Sequence, residues 1–332
     1  MKSTTYMNRM KGVAVALGLA LLLASHVPPA PTIEPPALDQ AELRFEPVAL
    51  DEEDPSRDRL GPLRFLGGWA ISSRNGRFGS ISGMHVEGGQ VTAVSDSGVV
   101  SRFSLPNGPS GRVRLETLAQ GPGPASDKTA RDAETLLIRG DHAWISFENR
   151  NAVWRYDRAT WRAQAAARPE KMRRWPVNSG SEGLVRLADG RFLIMAESIW
   201  DADGSSRALL FDGDPAVPGT RAVEFRYRPP AGYRVTDAAL LPDGRLLVLH
   251  RRFTLLGGFR VVLTAVRLPE RIAEGMILSG QEIARFEPPV VTDNYEALSV
   301  TQEGGRTILW IASDDNYFSL QRTLLLRFAV EG

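Results

Sequence analysis

The chain has 332 residues, of which 43% are hydrophobic, 24% charged and 8% aromatic, values that exclude an intrinsically disordered or collagen-like protein. Forty basic and 39 acidic side chains leave a formal charge of +1, so no nucleic-acid partner is predicted. The absence of cysteine excludes disulfide bonds, thiolate metal ligands and a cysteine nucleophile.

The N-terminus has the pattern of an export signal. Basic side chains precede an apolar run at 12–24, which is shorter than the roughly 20 residues of a membrane span, and five prolines follow between residues 28 and 36. We interpret residues 1–30 as a signal peptide and 31–61 as a proline-rich, acidic linker. An uncleaved membrane anchor is the alternative. Both interpretations predict that the folded part, 62–332, is periplasmic or secreted, with no membrane span beyond the leader.

A repeated pattern occupies the rest of the chain. Five times, a small or acidic anchor residue is followed by a short apolar strand, a tight glycine-containing turn and a second apolar strand ending in a polar residue. Such turns between apolar runs predict hairpins. The anchors recur about every 50 residues, and repeats of this length built from short strands are typical of β-propellers. We therefore predict an all-β fold, a β-propeller with five recognisable blades. A sixth blade and a two-sheet sandwich are the alternatives.

The two ends of the folded part predict how the ring closes. A third strand follows every hairpin, but the last repeat ends without a fourth strand. The apolar segment 62–71 has no partner of its own. We therefore predict that strand 62–71 pairs with strand 323–329, which leaves no free sheet edge at the junction.

Acidic anchors predict a cation site. In a propeller the first strand of each blade lines the central channel, so equivalent anchors should converge at one mouth. Carboxylates brought together repel each other unless they take up protons or bind a cation, and their hard oxygen atoms suit Ca²⁺. The alternative is that each carboxylate caps backbone N–H groups within its own blade. The first repeat has Ser82 and Gly83 instead of an acid. The predicted metal ligands are Glu134, Glu182, Asp237 and Glu296.

A second set of polar residues ends the second strands and is predicted to line the rim of the same mouth. Arg251 and Arg252 are candidates to bind an anionic substrate, or to act as counter-charges to the acids. His250 is the candidate general base, because it lies at a strand end beside Arg251, whereas His85 is in mid-strand and His142 is next to a turn. No Gly-x-Ser-x-Gly, His-Glu-x-x-His, P-loop or dinucleotide motif is present. The acidic members of the predicted rim are Asp96, Glu148, Glu197, Asp314 and Asp315.

Together the repeats resemble a bacterial family, the phytase-like domain, which is also called esterase-like activity of phytase. The resemblance spans roughly residues 63–330 and rests on segments such as RDAETLLI, SEGLVRLADGRFLIMAES and VTDAALLPDGRLLVLHRRF. It implies an exported propeller and hydrolysis of ester or phosphate-ester bonds. The chain departs from its relatives at His250, where similar proteins carry glutamate before Arg-Arg-Phe.

Three functions are consistent with these patterns. The first is a metal-assisted phosphoesterase or esterase acting on a small anionic or ester substrate. The second is a non-catalytic propeller that binds a ligand or a partner of the cell envelope. The third is a lactonase-type hydrolase. The fold alone supports all three equally.

Overall fold

The computed structural model describes residues 39–177 and 179–331, except for the side chains of residues 198–200. The predicted signal peptide, 1–30, lies outside the described residues. Regular structure is almost entirely β, with two short 3-10 helices at Glu148–Arg150 and Glu170–Arg174. In the described part of the chain, no helix is long and apolar enough to cross a membrane.

Apart from one short parallel pair, the strands form antiparallel sheets that repeat along the chain. The inner strands are β4 (Ile81–Glu87), β8 (Ala133–Arg139), β12 (Ser181–Arg186), β16 (Arg234–Leu240) and β21 (Tyr295–Glu303). The second strands are β5 (Gln90–Ser95), β9 (His142–Phe147), β13 (Phe192–Trp200), β17 (Arg245–Thr254) and β22 (Arg306–Ser313). The third strands are β6 (Val99–Ser104), β10 (Ala152–Asp157), β14 (Ser206–Phe211), β18 (Gly258–Arg267) and β23 (Thr323–Val330). The outer strands are β7 (Ser110–Thr117), β11 (Ala163–Ala167), β15 (Ala222–Arg228), β20 (Gln281–Phe286) and β3 (Leu63–Ser73). Three further strands are β1 (Asp39–Pro47), β2 (Arg59–Leu60) and β19 (Ile277–Ser279).

The inner strands surround a common axis. Each lies beside two others, in the order β4, β8, β12, β16, β21 and back to β4. A narrow cavity of about 80 Å³ on this axis is lined by residues of all five. The predicted all-β fold is confirmed, and this arrangement is that of a propeller rather than of a two-sheet sandwich.

Each sheet is covered on both faces, which explains the composition of its strands. In β17 the four consecutive residues Leu246–Leu249 are all buried, because neighbouring sheets pack on both sides. A strand with one wet face would alternate apolar and polar residues instead. The tight turns between inner and second strands lie at the opposite end of the sheets from the acidic anchors.

The N-terminal strands join the two ends of the chain. Strand β3 pairs antiparallel with β23, from Leu63 opposite Val330 to Ile71 opposite Thr323, so the predicted pairing of segment 62–71 is present. Strand β1 pairs with β3 on one side and with β7 on the other. Residues 39–47 were predicted to be linker, and this boundary is corrected. The physical reason is the alternation that buries Leu43 and Phe45, which adds a strand to the sheet.

Candidate functional site: an acidic channel mouth

Eight carboxylates gather where the inner strands begin, and we call this group the acidic mouth. They come from the first, second, third and fifth repeats and lie close enough to raise one another's pKa values in several pairs. The acidic mouth consists of Asp96, Asp132, Glu134, Glu148, Glu182, Glu197, Glu296 and Asp314.

A bulge in every inner strand positions the anchor side chains. At the same point of each repeat, the pairing between the inner and second strands skips one residue. A bulge leaves the extra residue unpaired and re-aims its side chain. The skipped residues are Ser82, Glu134, Glu182, Thr236 and Glu296. Three of the four predicted metal ligands therefore occupy structurally equivalent positions.

Asp237, the fourth predicted ligand, does not join the other three. The skipped residue of its strand is Thr236, and Asp237 itself pairs with Leu249. Its carboxylate accepts hydrogen bonds from the backbone N–H of Ala238 and of Leu298 on the neighbouring strand β21, both at 2.7 Å. Asp237 thus links two inner strands by capping one backbone N–H group of its own strand and one of the neighbouring strand.

The rim residues also hold equivalent positions. In four repeats the backbone N–H of an acidic rim residue donates to the carbonyl located two residues before the skipped one. In the fourth repeat Arg251 takes this place, opposite Arg234. This hydrogen bond brings Asp96, Glu148, Glu197 and Asp314 to the height of the acidic anchors. Asp132, two residues before Glu134, belongs to the same layer, although it was not among the predicted site residues. Residues two apart in an extended chain point to the same side, so this spacing could have identified Asp132.

Two groups of carboxylates are compact enough to share a cation. The first contains Asp132, Glu134 and Glu148, and the second contains Glu148, Glu182 and Glu197. Within each group, one carboxylate oxygen from every residue lies within 4.8 Å of the others. Glu148 belongs to both groups and also accepts a hydrogen bond from the backbone N–H of Gly180 at 3.1 Å. The second and third repeats therefore contribute most of the close acidic contacts.

Burial makes this charge costly. Loss of solvent, followed by repulsion from neighbouring carboxylates, raises the pKa values of Glu134 and Glu182 well above the ordinary value. The same causes raise the pKa of Asp132 to about 7 and raise that of Glu148. Groups of this kind hold protons at neutral pH or require a positive partner.

Positive side chains compensate one side of the acidic mouth. Arg251 bonds to Glu296 and to the amide oxygen of Asn294, and its guanidinium lies 3.6 Å from Glu197. Lys128 lies 2.8 Å from Asp96 on another side. Arg234 pairs with Glu197 at 3.4 Å. Within residues 39–177 and 179–331, no lysine or arginine forms an ion pair with Glu134, Glu148 or Glu182, although the charge of Arg251 partly offsets the burial that raises the pKa of Glu148. The carboxylates without a direct ion pair therefore belong to the second and third repeats.

Comparison with known proteins gives the family. The profile of the phytase-like family, described as esterase-like activity of phytase, matches residues 76–317. The chain belongs to this family. Among curated proteins, none has significant sequence similarity to it.

The fold of this phytase-like protein is similar to solved structures at 10% identity. Glutaminyl cyclase from Myxococcus xanthus matches 81% of the chain and 97% of its own length, with a TM-score of 0.43. RS223-Beta-xylosidase matches 80% and 94%, with a TM-score of 0.44. The β-propeller domain of Cps50 (Swd1) from Myceliophteria thermophila matches 81% and 100%, with a TM-score of 0.37.

Three other predicted site residues of the phytase-like chain, namely His250, Arg252 and Asp315, lie away from the acidic mouth. His250 is fully buried in its sheet, where Nδ1 lies 3.0 Å from the Val262 carbonyl and Nε2 lies 3.0 Å from the Tyr227 hydroxyl. Burial lowers its pKa to about 4. The guanidinium of Arg252 lies over the ring of Tyr233, 4.9 Å from its centroid.

Asp315 forms hydrogen bonds within the last repeat and with the first one. Its carboxylate accepts hydrogen bonds from the backbone N–H groups of Ser80 and Tyr317 and from the hydroxyl of Thr323. These bonds connect the start of the first repeat to the last one. Of the predicted cationic residues, Arg251 alone is in contact with the acidic mouth.

Proposed function

We propose that this phytase-like protein is an exported, metal-assisted hydrolase of small anionic esters, either phosphate esters or carboxyl esters. The observation that carries the proposal is the group of Glu148, Glu182 and Glu197, three buried carboxylates with oxygens within 4.8 Å of one another. Glu197 pairs with Arg234 and Arg251. In the described residues no lysine or arginine forms an ion pair with Glu148 or Glu182, which favours an external cation at these two carboxylates.

The dimensions and chemistry of this group fit Ca²⁺. Calcium binds oxygen ligands at about 2.3–2.6 Å, so ligands on opposite sides of one ion lie up to about 5 Å apart. A limit of 4.8 Å between the three oxygens agrees with this span. Hard carboxylate oxygens select calcium or magnesium over softer metals. Glu148, Glu182 and Glu197 would hold the ion, with Glu134 and Asp132 close to it.

The chain's own residues would bind and orient the substrate. A bound cation supplies polarisation of the ester oxygen and a more acidic water molecule. Arg251 is fixed by Glu296 and Asn294 at the edge of the acidic mouth, where its guanidinium can bind a phosphate or carboxylate. Arg252 is less suited to this role because it stacks on Tyr233.

The finer architecture and the location are part of the same proposal. The ring of five inner strands supports a propeller of five blades, in which β3 supplies the outer strand of the last blade beside β23. The basic and apolar pattern of residues 1–30 supports export to the periplasm or beyond.

A substrate panel with a matched pair of variants tests the proposal. Phosphate monoesters, carboxyl esters and lactones are assayed with Ca²⁺ and with chelator, using wild type, Glu148→Gln and Asp237→Asn. We expect hydrolysis that depends on Ca²⁺. Glu148→Gln removes a carboxylate shared by both groups and should weaken Ca²⁺ activation by at least about 10–100-fold, the loss that changes to outer-shell partners alone cause. Asp237→Asn, which changes a carboxylate outside the acidic mouth, should keep the Ca²⁺ dependence of wild type.

The outcomes separate the hypotheses. Hydrolysis that is equal with and without chelator would contradict the metal-assisted mechanism. Calcium binding without turnover of any substrate would favour the non-catalytic propeller. Turnover of lactones alone would favour the lactonase-type hydrolase.

A further inference from the structure

A tyrosine lies at the edge of the acidic mouth, where the first and last repeats meet. Tyr317 is in the connection between β22 and β23, three residues after Asp314. Its hydroxyl is 3.0 Å from the hydroxyl of Ser97, which follows Asp96 in the chain. The ammonium group of Lys128 lies 5.6 Å from the centroid of the Tyr317 ring and 2.8 Å from Asp96. Tyr317 thus borders the acidic mouth.

A chain of three hydroxyl groups determines how the Tyr317 hydroxyl is used. The Ser95 oxygen accepts hydrogen bonds from the backbone N–H groups of Ser97 at 3.3 Å and Val99 at 3.2 Å, which occupy both of its lone pairs. Ser95 therefore donates its own hydrogen to the Ser97 oxygen, 2.9 Å away. Ser97 is buried and has no other acceptor among the described residues, so its hydrogen goes to the Tyr317 oxygen.

The hydrogen of the Tyr317 hydroxyl is consequently left without an acceptor in the part of the chain that the structure describes. Burial raises the pKa of Tyr317 to about 12, and the charge of Asp96 adds to the increase, so the phenol keeps this hydrogen at neutral pH. The side chain is only partly buried. A phenol with an oriented hydroxyl and an unused hydrogen can donate a hydrogen bond to an oxygen atom of a ligand.

The backbone that carries the Tyr317 ring has an unfavourable conformation. Asn316 and Tyr317 have left-handed φ values of 49° and 51°, which bulky residues rarely adopt. The Asn316 N–H donates to the Asp314 carboxylate at 2.6 Å, and the Tyr317 N–H donates to the Asp315 carboxylate at 3.0 Å. Strain of this kind persists where the surrounding structure enforces it, and it is concentrated at functional sites. The backbone therefore supports a functional role for Tyr317 independently of the hydroxyl chain.

Lys128 is brought to the same place by a loop with its own buried support. In the connection from β7 to β8, the buried guanidinium of Arg131 donates to three backbone carbonyls of residues 118–124 at 2.9–3.3 Å. These bonds fold the loop around one side chain. Because Asp96 already pairs with Lys128, we assign to Lys128 the positioning of the Tyr317 ring through a cation–π contact and not the binding of an anion.

We propose that Tyr317 is a catalytic hydrogen-bond donor, which binds the carbonyl or phosphoryl oxygen of the ester while negative charge builds up on it. Ser95, Ser97 and Lys128 are positioning residues. This inference rests on the proposed hydrolase function. In the reaction, water forms the new bond to carbon or phosphorus, the ester bond breaks with its electron pair on the leaving oxygen, and one proton of the water ends there. Tyr317 stabilises the developing charge and keeps its own proton.

Steady-state kinetics of two tyrosine variants test this role. Tyr317→Phe removes only the free donor, whereas Tyr227→Phe removes a hydroxyl that is bonded within its sheet to His250 and Thr264. On the ester that wild type hydrolyses fastest, in saturating Ca²⁺, Tyr317→Phe should lower kcat by about 100–1,000-fold with little change in KM. Tyr227→Phe should keep the kcat of wild type. Titration calorimetry should give the same Ca²⁺ affinity for all three chains.

A serine variant decides the question if Tyr317→Phe does not bind Ca²⁺ as wild type does. Ser97→Ala keeps the phenol but removes the hydroxyl that orients it, so kcat should fall by about 2–10-fold at unchanged Ca²⁺ affinity. Ser97→Thr restores a hydroxyl at this position and should recover the kcat of wild type. Equal kcat values for Ser97→Ala and wild type would then overturn the proposal.

Binding of methylphosphonate separates this inference from the proposed function. This anion is a tetrahedral mimic of the charged state in both types of ester hydrolysis and is not itself hydrolysed. In Ca²⁺, Tyr317→Phe should bind it about 10–100-fold more weakly than wild type. If wild type hydrolyses esters and Tyr317→Phe has the same kcat, this inference is overturned and the proposed function stands. If wild type hydrolyses no ester, the proposed function fails; weaker methylphosphonate binding by Tyr317→Phe would still support the donor role, and equal or absent binding would overturn it.

Discussion

Replacing Glu182 by glutamine should have opposite effects on stability with and without calcium. Glu182 is buried in the acidic mouth, where loss of solvent raises its pKa well above the ordinary value, and Glu134, Glu197 and Glu148 add to the increase. It is also one of three carboxylates whose oxygens could share an ion. Glutamine keeps the size of the side chain but removes the charge. The variant therefore relieves repulsion when no cation is bound and removes a ligand when one is.

The direction in which Glu182→Gln changes the folding stability in chelator follows from proton linkage. A carboxyl with a raised pKa in the folded state binds more protons there than in the unfolded state, so it lowers stability progressively as the pH rises above its ordinary pKa. Glutamine has no such dependence. In chelator at pH 7 the Glu182→Gln variant should thus be at least as stable as wild type, and its advantage should shrink as the pH falls towards 4.5.

The size of the effect in calcium follows from mass action. At a free Ca²⁺ concentration of 100 times the dissociation constant, binding stabilises the folded state by about 2.7 kcal/mol. A variant that binds 100-fold more weakly retains only about 0.4 kcal/mol of this, so the loss is about 2.3 kcal/mol. With an unfolding entropy of about 2.1 cal/mol/K per residue, that loss corresponds to roughly 3–4 °C in Tm for a protein of this size.

Thermal unfolding in Ca²⁺ and in chelator measures the change in stability under each condition, with Asp237→Asn as the matched control. Asparagine at position 237 loses one of the two acceptors for the Ala238 and Leu298 N–H groups, at a cost of about 1–3 kcal/mol. That loss should be the same in both conditions, because Asp237 lies outside the acidic mouth. If Glu182→Gln loses equal stability in Ca²⁺ and chelator, Glu182 has a structural role and the reasoning is refuted.

Three further predictions concern other elements, each measured as the free energy of unfolding in urea. His250→Gln should abolish a pH-dependent part of the free energy of unfolding. Wild type loses this part, on the order of 3 kcal/mol, as the pH falls from 6.5 to about 4, because the unfolded histidine takes up a proton there and the buried one does not. Identical pH profiles of the two proteins would contradict it. Phe45→Ala should lower the free energy of unfolding by about 3–5 kcal/mol, because β1 buries this ring in the core. The control is Glu46→Ala, at an exposed position of the same strand. A neutral result for Phe45→Ala would mean that residues 39–47 act as a linker. Gly83→Ala should lower the free energy of unfolding by about 1–3 kcal/mol, because its Cβ would lie 2.5 Å from the Leu136 backbone nitrogen. Gly76→Ala, with open space around it, should be neutral. Equal free energies of unfolding for the two variants would disprove this close approach.

Local periodicity was sufficient for much of the fold. The five repeats, their hairpins and the pairing of segment 62–71 with the last strand followed from apolar runs, turn residues and a missing partner. The same repetition assigned equivalent positions to Glu134, Glu182 and Glu296, which the structure places at the skipped positions. Equivalent positions in a repeat experience the same geometry, so the sequence alone carries this information.

Features that depend on contacts between distant segments were decided only by the tertiary structure. A strand has a side-chain period of two, so the bulge that skips Thr236 rather than Asp237 turns Asp237 away from the acidic mouth, and no local pattern marks that choice. His250 is likewise directed into its own sheet, where Tyr227 and Val262 occupy both ring nitrogens. Strand β1 exists because β3 and β7 offer it two open edges at once. Its nine residues cannot form a stable strand alone, since a strand gains its hydrogen bonds and buried surface only from partners elsewhere in the chain.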